Sequence, residues 1–365
     1  MALNCGIIGI TNIGKTTIFN CISSSKAQSS SYAFSASKSN IGMIDVPDER
    51  LHKLDSLVKS KRIVPAIVEI VDIPGLAKGS SKGEGVGNKF LSDIQQTDAL
   101  IHVLRCFDDE NLSHIEGSVN PVRDKEIVDL ELQIKDMEML ERKIQRLEKV
   151  VRSGDKQAKK ELEICNVYKE HFENFQPART ANVSEEDRKL LTDLFLLTEK
   201  PVLYVCNVDD ASAVTGNHYV DELKEIVKED NTEVLVIAGK LESEIAELEN
   251  AEDRKEFLTD AGLNEPGVNR LIQSAYKILN LQSFFTAGPM EVRAWTIKNG
   301  MKAPKAAGVI HSDLERGFIR AEVMKYSDFM ELGSEQACKE AGKLFVEGKN
   351  YIVEEGDIMH IRFNV

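Results

Sequence analysis

The sequence predicts an α/β protein with a parallel-rich sheet, an inserted coiled-coil-like helical hairpin and a small C-terminal α+β domain. Three observations lead to this class. Short apolar runs alternate with helical patterns in the N-terminal part, a long charged segment follows with an apolar stripe of helical period, and the C-terminal part has short strand-like runs separated by glycines. A chain of 365 residues is long enough for two or three such domains.

Two segments of the chain, residues 1–125 and 200–281, have the pattern of a parallel sheet. Residues 16–23 are typical of a helix that follows the first strand, and charged helical segments follow the later strands. Strands that alternate with helices indicate βαβ units, so we assign residues 1–125 and 200–281 to one domain. The apolar runs typical of buried strands are 3–10, 67–71, 99–104, 202–206 and 234–238.

A helical hairpin is predicted between these two parts, at residues 126–199. Apolar residues recur in steps of three and four along one long helix, and residues 153–155 break it before a second helix of similar character. The predicted stripe consists of Ile127, Leu130, Ile134, Met137, Leu140, Ile144, Leu147 and Val151.

The C-terminal residues 282–365 are predicted to form a separate small α+β domain. Residues 281–286 resemble a joint between domains, and glycines then divide the chain into short strands. The strands expected there are 292–297, 318–323 and 359–363.

Composition restricts the class of protein. The chain carries 46 lysines and arginines against 60 aspartates and glutamates, a net charge of −14, which disfavours non-specific coating of nucleic acid, and no DNA partner is expected. Six scattered cysteines without a C-x-x-C pair indicate neither a zinc site nor a disulfide framework. Because neither a secretory leader nor a long uncharged apolar segment is evident, we expect a cytoplasmic protein without a membrane partner.

A phosphate-binding loop is the strongest motif. Residues 9–16, Gly-Ile-Thr-Asn-Ile-Gly-Lys-Thr, match G-x-x-x-x-G-K-[ST] at each fixed position and lie between a strand and a helix. The backbone amides of such a loop surround phosphates, Lys15 reaches the terminal phosphates, and the Thr16 hydroxyl ligates Mg²⁺. The loop residues Asn12, Ile13 and Gly14, with Thr17 after them, complete the candidate nucleotide contacts.

A second motif follows the strand at 67–71. Asp72 of the Asp-Ile-Pro-Gly run is a candidate magnesium ligand, and Gly75 allows a backbone N–H to approach the γ-phosphate. Leu76 occupies the place where many GTPases have a glutamine that orients the attacking water. An apolar residue cannot do this, so another residue or a partner must complete the site.

These motifs resemble those of the YchF family of Obg-related P-loop nucleoside triphosphatases. The resemblance extends essentially from end to end, and it implies a ribosome-associated ATPase of the cytosol with a C-terminal TGS domain. The further runs that carry it are Ile18–Asn20, Val46–Leu51, Gly83–Leu91, Arg105–Phe107 and Ala246–Leu248.

The expected base-reading segment differs from that of a typical GTPase. Where GTPases have N-K-x-D, this chain has Asn207-Val208-Asp209-Asp210, so the lysine that lies over guanine is replaced by valine. The family resemblance favours ATP, whereas Asp210 is the residue type that a guanine reader uses. A true GTPase switch is therefore the alternative within the same fold.

The resemblance implies further roles. Asn12 matches an asparagine that accompanies K⁺ in similar proteins, and His114 matches a loop histidine that supports hydrolysis, as an imidazole can orient water. Ala36 replaces an expected magnesium-ligating threonine, and Ser35 or Ser37 could substitute for it. With Leu76, Ala36 supports a third alternative, a nucleotide-dependent binding module with negligible turnover.

Ribosomal RNA is the predicted macromolecular partner, through a local basic patch of the C-terminal domain. Its cations face only four acids between residues 286 and 326. The patch consists of Arg293, Lys298, Lys302, Lys305, Arg316, Arg320 and Lys325.

Overall fold

The computed structural model describes residues 3–24, 40–76, 86–191, 193–230, 232–248 and 250–364. The chain forms two compact units. The first comprises Met1–Gly42 and Glu69–Leu271, and the second comprises Met43–Val68 and Ile272–Val365.

A six-stranded sheet with the order β2-β4-β1-β5-β6-β7 contains the predicted apolar runs. Strand β1 pairs in parallel with β4 and β5, and the ladder continues in parallel through β6 to β7, which confirms the parallel-rich sheet. The strands are β1 (Asn4–Ile8), β2 (Asn40–Asp45), β4 (Ile67–Asp72), β5 (Ala99–Arg105), β6 (Val202–Asn207) and β7 (Val234–Ile237). The short strand β3 (Ile63–Val64) belongs to the other sheet.

Helices follow most of these strands, as a βαβ arrangement requires. Strand β5 is buried along its whole length, which explains why five of its seven residues are apolar. In chain order, the first ten helices are α1 (Lys15–Ser24), α2 (Glu49–Val58), α3 (Val86–Gln95), α4 (Pro121–Val151), α5 (Lys156–Glu173), α6 (Glu185–Arg188), α7 (His218–Ile226), α8 (Gly239–Glu247), α9 (Ala251–Asp260) and α10 (Gly267–Ile278).

Helices α4 and α5 form the predicted hairpin, and Leu140, Ile144 and Leu147 of the predicted stripe are buried as expected. Leu130 is 45% exposed, whereas Asp124 and Asp136 are completely buried. The predicted stripe was therefore wrong at Leu130, and it omitted two buried carboxylates because it counted only apolar residues. The Asp136 carboxylate accepts hydrogen bonds from the backbone N–H groups of Leu197 and Thr198 at 2.7 and 2.8 Å, so the burial of its charge is compensated.

The second unit is built on another six-stranded sheet, with the order β11-β10-β12-β8-β9-β3. The predicted joint at 281–286 is wrong, because these residues form the interior strand β8 (Leu281–Ala287), paired antiparallel with β9 (Val292–Lys298). Phe284 and Phe285 are both fully buried, so this strand contributes to the core. The remaining elements are α11 (Ala303–Ile310), α12 (Ser312–Arg316), β10 (Phe318–Met324), α13 (Tyr326–Leu332), α14 (Glu335–Glu340), β11 (Phe345–Glu347) and β12 (Ile358–Phe363).

Residues 43–68, which the sequence analysis placed with the N-terminal domain, pack within this second unit. The family-like run at 46–51 explains why. Asp48 caps helix α2 and accepts hydrogen bonds from Arg50, whose guanidinium also pairs with Glu355 at 2.5 Å. Glu355 in turn accepts the backbone N–H of Ser283 in β8 at 2.7 Å. This ionic network holds α2 on the second sheet.

His102 lies on the largely apolar strand β5, and it is a core residue that is 1% exposed. Its Nε2 has no hydrogen-bond partner among the described residues, and its ring centroid lies 5.6 Å from that of Tyr204. Burial lowers the pKa of His102 to about 3; Asp129 opposes this shift, while Lys125 reinforces it.

Acid is therefore expected to destabilise the chain through His102. Below about pH 6.5 the unfolded chain takes up a proton on this histidine that the folded chain cannot accept, so the free energy of unfolding falls with pH. When the pH is lowered from about 7.5 to about 5.5, the free energy of unfolding, measured with urea, should fall by about 1.4 kcal/mol more in the wild-type chain than in His102→Leu. Equal losses in both proteins would contradict the burial of a neutral imidazole.

Candidate nucleotide-binding site

The loop at residues 9–16 connects β1 to α1 and requires its glycines. Gly9 and Gly14 have φ angles of +144° and +92°, and Asn12 between them also has a positive φ, of 63°. A Cβ on Gly9 would lie 2.6 Å from the carbonyl oxygen of Val103, and one on Gly14 would lie 2.3 Å from Nδ2 of Asn207. A side chain at either position would therefore displace the loop backbone.

Lys15 is buried beneath this loop, with 7% of its surface exposed. Its ammonium donates to the carbonyl oxygens of Ile10 at 2.5 Å and Gly9 at 3.2 Å. Burial lowers the pKa of Lys15 to about 8, and the nearby Asp72 carboxylate partly opposes this shift. Among the described residues, the Asp72 carboxylate balances the charge of this ammonium, and anionic phosphate oxygens would stabilise it further.

Thr16 and Asp72 bring two oxygen ligands together. The Thr16 hydroxyl donates to Oδ2 of Asp72 at 3.4 Å, across the ends of α1 and β4. Burial raises the pKa of Asp72, while Lys15 and the Thr16 hydrogen bond lower it. A hydroxyl and a carboxylate suit Mg²⁺, which prefers oxygen ligands and retains several waters. The residues present therefore fit the predicted metal site.

Gly75 and Leu76 continue from Asp72 along the loop. A Cβ on Gly75 would lie 2.8 Å from Nζ of Lys15 and 3.2 Å from Cα of Thr11, so a side chain here would push against the lysine and the loop backbone. Leu76 donates its N–H to the carbonyl of Gly9 at 3.0 Å, and its side chain is 1% exposed. The buried leucine is thus a structural anchor of the loop and does not present a group that could orient water.

Asn207 connects the phosphate loop to the neighbouring strand ends. Its Nδ2 donates to the carbonyl oxygen of Ile13 at 2.8 Å, and its Oδ1 accepts the N–H of Gly239 at 3.0 Å. Asp209 accepts the N–H of Ser212 and caps a short 3₁₀ turn. Asp210 begins this turn and is exposed, so its carboxylate is accessible to a ligand.

His114 is held in a buried ion-pair network. Its Nε2 lies 2.9 Å from Oδ2 of Asp124, and its Nδ1 accepts the N–H of Glu116 at 3.1 Å. Because Nδ1 is an acceptor, Nε2 carries the proton and donates to the carboxylate. Arg123 binds the other oxygen of Asp124 at 3.0 Å. Both imidazole nitrogens are therefore already occupied in this conformation.

Arg105 is a positioning residue that the sequence analysis named without a role. It is 1% exposed, and its guanidinium donates to the carbonyl oxygens of Phe107, Asp109 and Leu112. The loop that leads to His114 is thereby organised around one buried charge. A charged residue at the end of a mostly apolar strand was the available signal, since a buried guanidinium must be satisfied by acceptors.

Other predicted features have different outcomes. Thr17 is exposed in the first turn of α1, beside Thr16. Ser35, Ala36 and Ser37 lie outside the described residues, as does the segment 83–85 of the family-like run Gly83–Leu91. Within the part of the chain that is described, no helix has the length and apolar character needed to cross a bilayer.

The predicted C-terminal basic patch is largely paired with acids. Five of its seven cations have a carboxylate oxygen within 4.0 Å, so the excess of charge along the sequence is reduced in space. The pairs are Arg293–Glu291, Lys305–Glu315, Arg316–Asp313, Arg320–Glu322 and Lys325–Glu354. Trp295 packs against the domain core and donates to Thr286.

The arrangement at the carboxyl ends of the parallel strands defines a class. A glycine-dependent loop before a helix, a buried lysine in it, and a hydroxyl–carboxylate pair beside it are the phosphate and metal groups of a P-loop nucleoside triphosphatase. Two family models match the chain. Residues 4–152 match one described as a 50S ribosome-binding GTPase, and residues 281–364 match the YchF-GTPase C-terminal model, described as a protein of unknown function.

Full-length relatives specify the family. Ribosome-binding ATPase YchF of Bacillus subtilis (strain 168) is 49% identical over 367 residues, with 100% of both chains covered. Obg-like ATPase 1 of Rattus norvegicus is 43% identical over 369 residues, with 100% of this chain and 93% of the rat protein covered. The solved structure of the Schizosaccharomyces pombe YchF GTPase matches with a TM-score of 0.88 at 35% identity, covering 99% of this chain and 97% of that one. The chain belongs to the YchF family.

Proposed function

We propose that this protein is a Mg²⁺-dependent nucleoside triphosphatase that prefers ATP and binds the ribosome, through its large subunit, under nucleotide control. The observation that carries the proposal is the phosphate loop with Lys15 buried under it and the Thr16–Asp72 oxygen pair beside it. The relatives, a ribosome-binding ATPase and an Obg-like ATPase, support hydrolysis and ribosome binding, and the TGS assignment of the C-terminal domain stays a prediction.

In the proposed reaction, water attacks the γ-phosphorus in line with the leaving oxygen. Lys15 and the amides of the phosphate loop stabilise the charge that develops on the phosphoryl oxygens. Thr16 and Asp72 would hold Mg²⁺, which would supply further neutralisation of phosphate charge. Gly75 keeps open the space beside the Lys15 ammonium that a phosphate oxygen needs.

Orientation of the attacking water is assigned to His114. Leu76 is buried and cannot perform this step. His114 must first exchange its hydrogen bond with Asp124 for one to water, so the proposal requires the 107–117 loop to change conformation when nucleotide binds. Slow basal hydrolysis follows from this requirement.

The preference for ATP is proposed from the base-reading segment. Val208 is 2% exposed and replaces the lysine that covers guanine in GTPases. Asn207 is committed to Ile13 and Gly239, so its amide supports the loop backbone. The GTPase alternative has one specific observation in its favour, the exposed carboxylate of Asp210, and the fission yeast relative of known structure is also described as a GTPase.

A competition titration decides between these alternatives. ATP and GTP are titrated against one fluorescent nucleotide in the presence of Mg²⁺ and K⁺, and ATP is expected to displace it at lower concentration. Asp210→Glu should then leave both affinities within about two-fold, with Asp221→Glu on α7 as the matched control. If GTP binds more tightly, and Asp210→Glu selectively weakens it by about ten-fold or more, Asp210 reads guanine and the protein is a GTPase.

Turnover with and without ribosomes tests the third alternative. Acceleration of hydrolysis by ribosomes or by K⁺ supports the proposal. If Asn12→Ala removes the effect of K⁺, the ion binds at this loop position, where the backbone φ is positive. Absence of hydrolysis under every condition, with nucleotide binding intact, would identify a nucleotide-dependent binding module.

A further inference from the structure

Helix α4 carries a basic groove outside the nucleotide site. The groove has a volume of about 580 Å³ and lies between α4, the end of α3 and the segment before the turn at Leu197–Glu199. Its cations lie at positions i, i+4 and i+7 of α4, so one face of the helix presents them in a row. We define the α4 groove by Arg142, Arg146, Lys149, Gln145, Gln95 and Phe195.

The charge of the α4 groove is poorly compensated, unlike that of the C-terminal patch. Arg142 and Lys149 have no ion-pair partner among the described residues, and Arg146 is 71% exposed. The only carboxylate in the lining is Asp193, at 3.8 Å from Arg146, and it is already bound to the buried ammonium of Lys143. On a chain of net charge −14, this local positive surface favours a polyanion.

Phe195 adds an exposed aromatic ring to the α4 groove. It is 64% exposed, while its neighbours Leu194 and Leu196 are buried in the hairpin core. The segment is held in place by Asp136, which binds the N–H groups of Leu197 and Thr198. The ring is therefore presented on a fixed backbone, with both adjacent side chains anchored.

We propose that the α4 groove binds single-stranded or looped RNA, with the three cations on phosphates and Phe195 stacked on a base. Repeated negative charge combined with planar rings distinguishes RNA from an acidic peptide, which offers charge without bases. The two glutamines in the lining supply further donors and acceptors. This inference rests on the proposed ribosome binding and assigns a surface to it.

The test measures RNA binding and its salt dependence. A short fluorescein-labelled single-stranded oligoribonucleotide of mixed sequence is titrated with the full chain over a series of KCl concentrations, with anisotropy as the readout. In R142Q/R146Q/K149Q, the slope of log affinity against log salt should fall by about 2, since each phosphate contact on a single strand contributes about 0.7. Phe195→Ala, which changes no charge, should weaken binding by at least about five-fold through lost stacking.

The matched control is R152Q/K156Q/K159Q, which removes the same charge from exposed positions at the tip of the hairpin. It should retain the wild-type slope. Circular dichroism melting confirms that all variants fold. Equal losses in the groove and control variants, or no binding of the oligoribonucleotide by the wild-type chain, would overturn the inference. Stronger binding of a polyglutamate peptide than of RNA, lost in the groove variant, would assign the surface to an acidic peptide instead.

Co-sedimentation with ribosomes separates this inference from the proposed function. A wild-type chain that does not sediment with ribosomes in any nucleotide state contradicts the proposed function. A wild-type chain and a groove variant that sediment equally, together with unchanged RNA binding, contradict only the α4 groove. Selective loss in the groove and Phe195 variants supports both.

Discussion

Replacing Lys15 by methionine is expected to reduce kcat/KM for nucleoside triphosphate hydrolysis by about two to three orders of magnitude. Methionine fills the buried space but supplies no charge to the phosphoryl oxygens. Steady-state phosphate release measures the loss. The pH dependence gives a second signature: because burial lowers the pKa of Lys15 to about 8, wild-type kcat/KM should fall as pH rises through this value and the ammonium loses its proton.

Lys53→Met provides the control for this experiment, since Lys53 is an exposed residue of α2 whose visible role is an ion pair with Glu49. It should retain wild-type turnover and the wild-type pH profile. A Lys15→Met variant that folds and hydrolyses ATP within about ten-fold of the wild type would refute the assignment of Lys15 to the reacting phosphate.

Replacing Asn207 by alanine is expected to lower the free energy of unfolding by about 2–5 kcal/mol and to weaken nucleotide binding by at least about ten-fold. The substitution leaves the carbonyl of Ile13 and the N–H of Gly239 without their partner in a buried place. It also removes the side chain that lies against Gly14, so the phosphate loop loses a lateral support. Urea unfolding and a nucleotide titration measure the two effects.

Asn217→Ala separates stability from function. Asn217 likewise makes two structural hydrogen bonds, to the carbonyl of Cys106 and to the N–H of Val220, and it caps α7. Its loss should destabilise the chain by a comparable amount and leave nucleotide affinity unchanged. If both variants weaken nucleotide binding equally, the effect of Asn207 is one of general stability.

Local patterns predicted much of the fold. The apolar runs became the parallel strands, and the 153–155 break separates α4 from α5. The errors have a common origin: apolar periodicity cannot recognise a polar residue that is buried with its partners, as Asp136 is, nor assign a short run such as 281–286 to the interior of a sheet. The pairing of β8 with β9 depends on residues beyond that run.

The candidate site divides in the same way. Residues 9–16 form a contiguous motif whose chemistry follows from its spacing, and Asp72 follows from its place at the end of a strand. The contact between Asn207 and Ile13 joins residues 194 positions apart, and the buried pair of His114 with Asp124 links a loop to a helix. Neither contact has a signature in the residues that surround it in the chain.

By itself, the sequence determined the class of this protein, because a phosphate loop is a local structure made by glycines, a lysine and a threonine within residues 9–16. The tertiary structure alone decided which charges remain available. It neutralises most of the C-terminal cations, occupies both nitrogens of His114, and leaves Arg142 and Lys149 beside an exposed Phe195. Whether a cation can bind a partner depends on whether a carboxylate lies within a few ångströms of it in the folded chain, and the order of residues in the sequence does not give that distance.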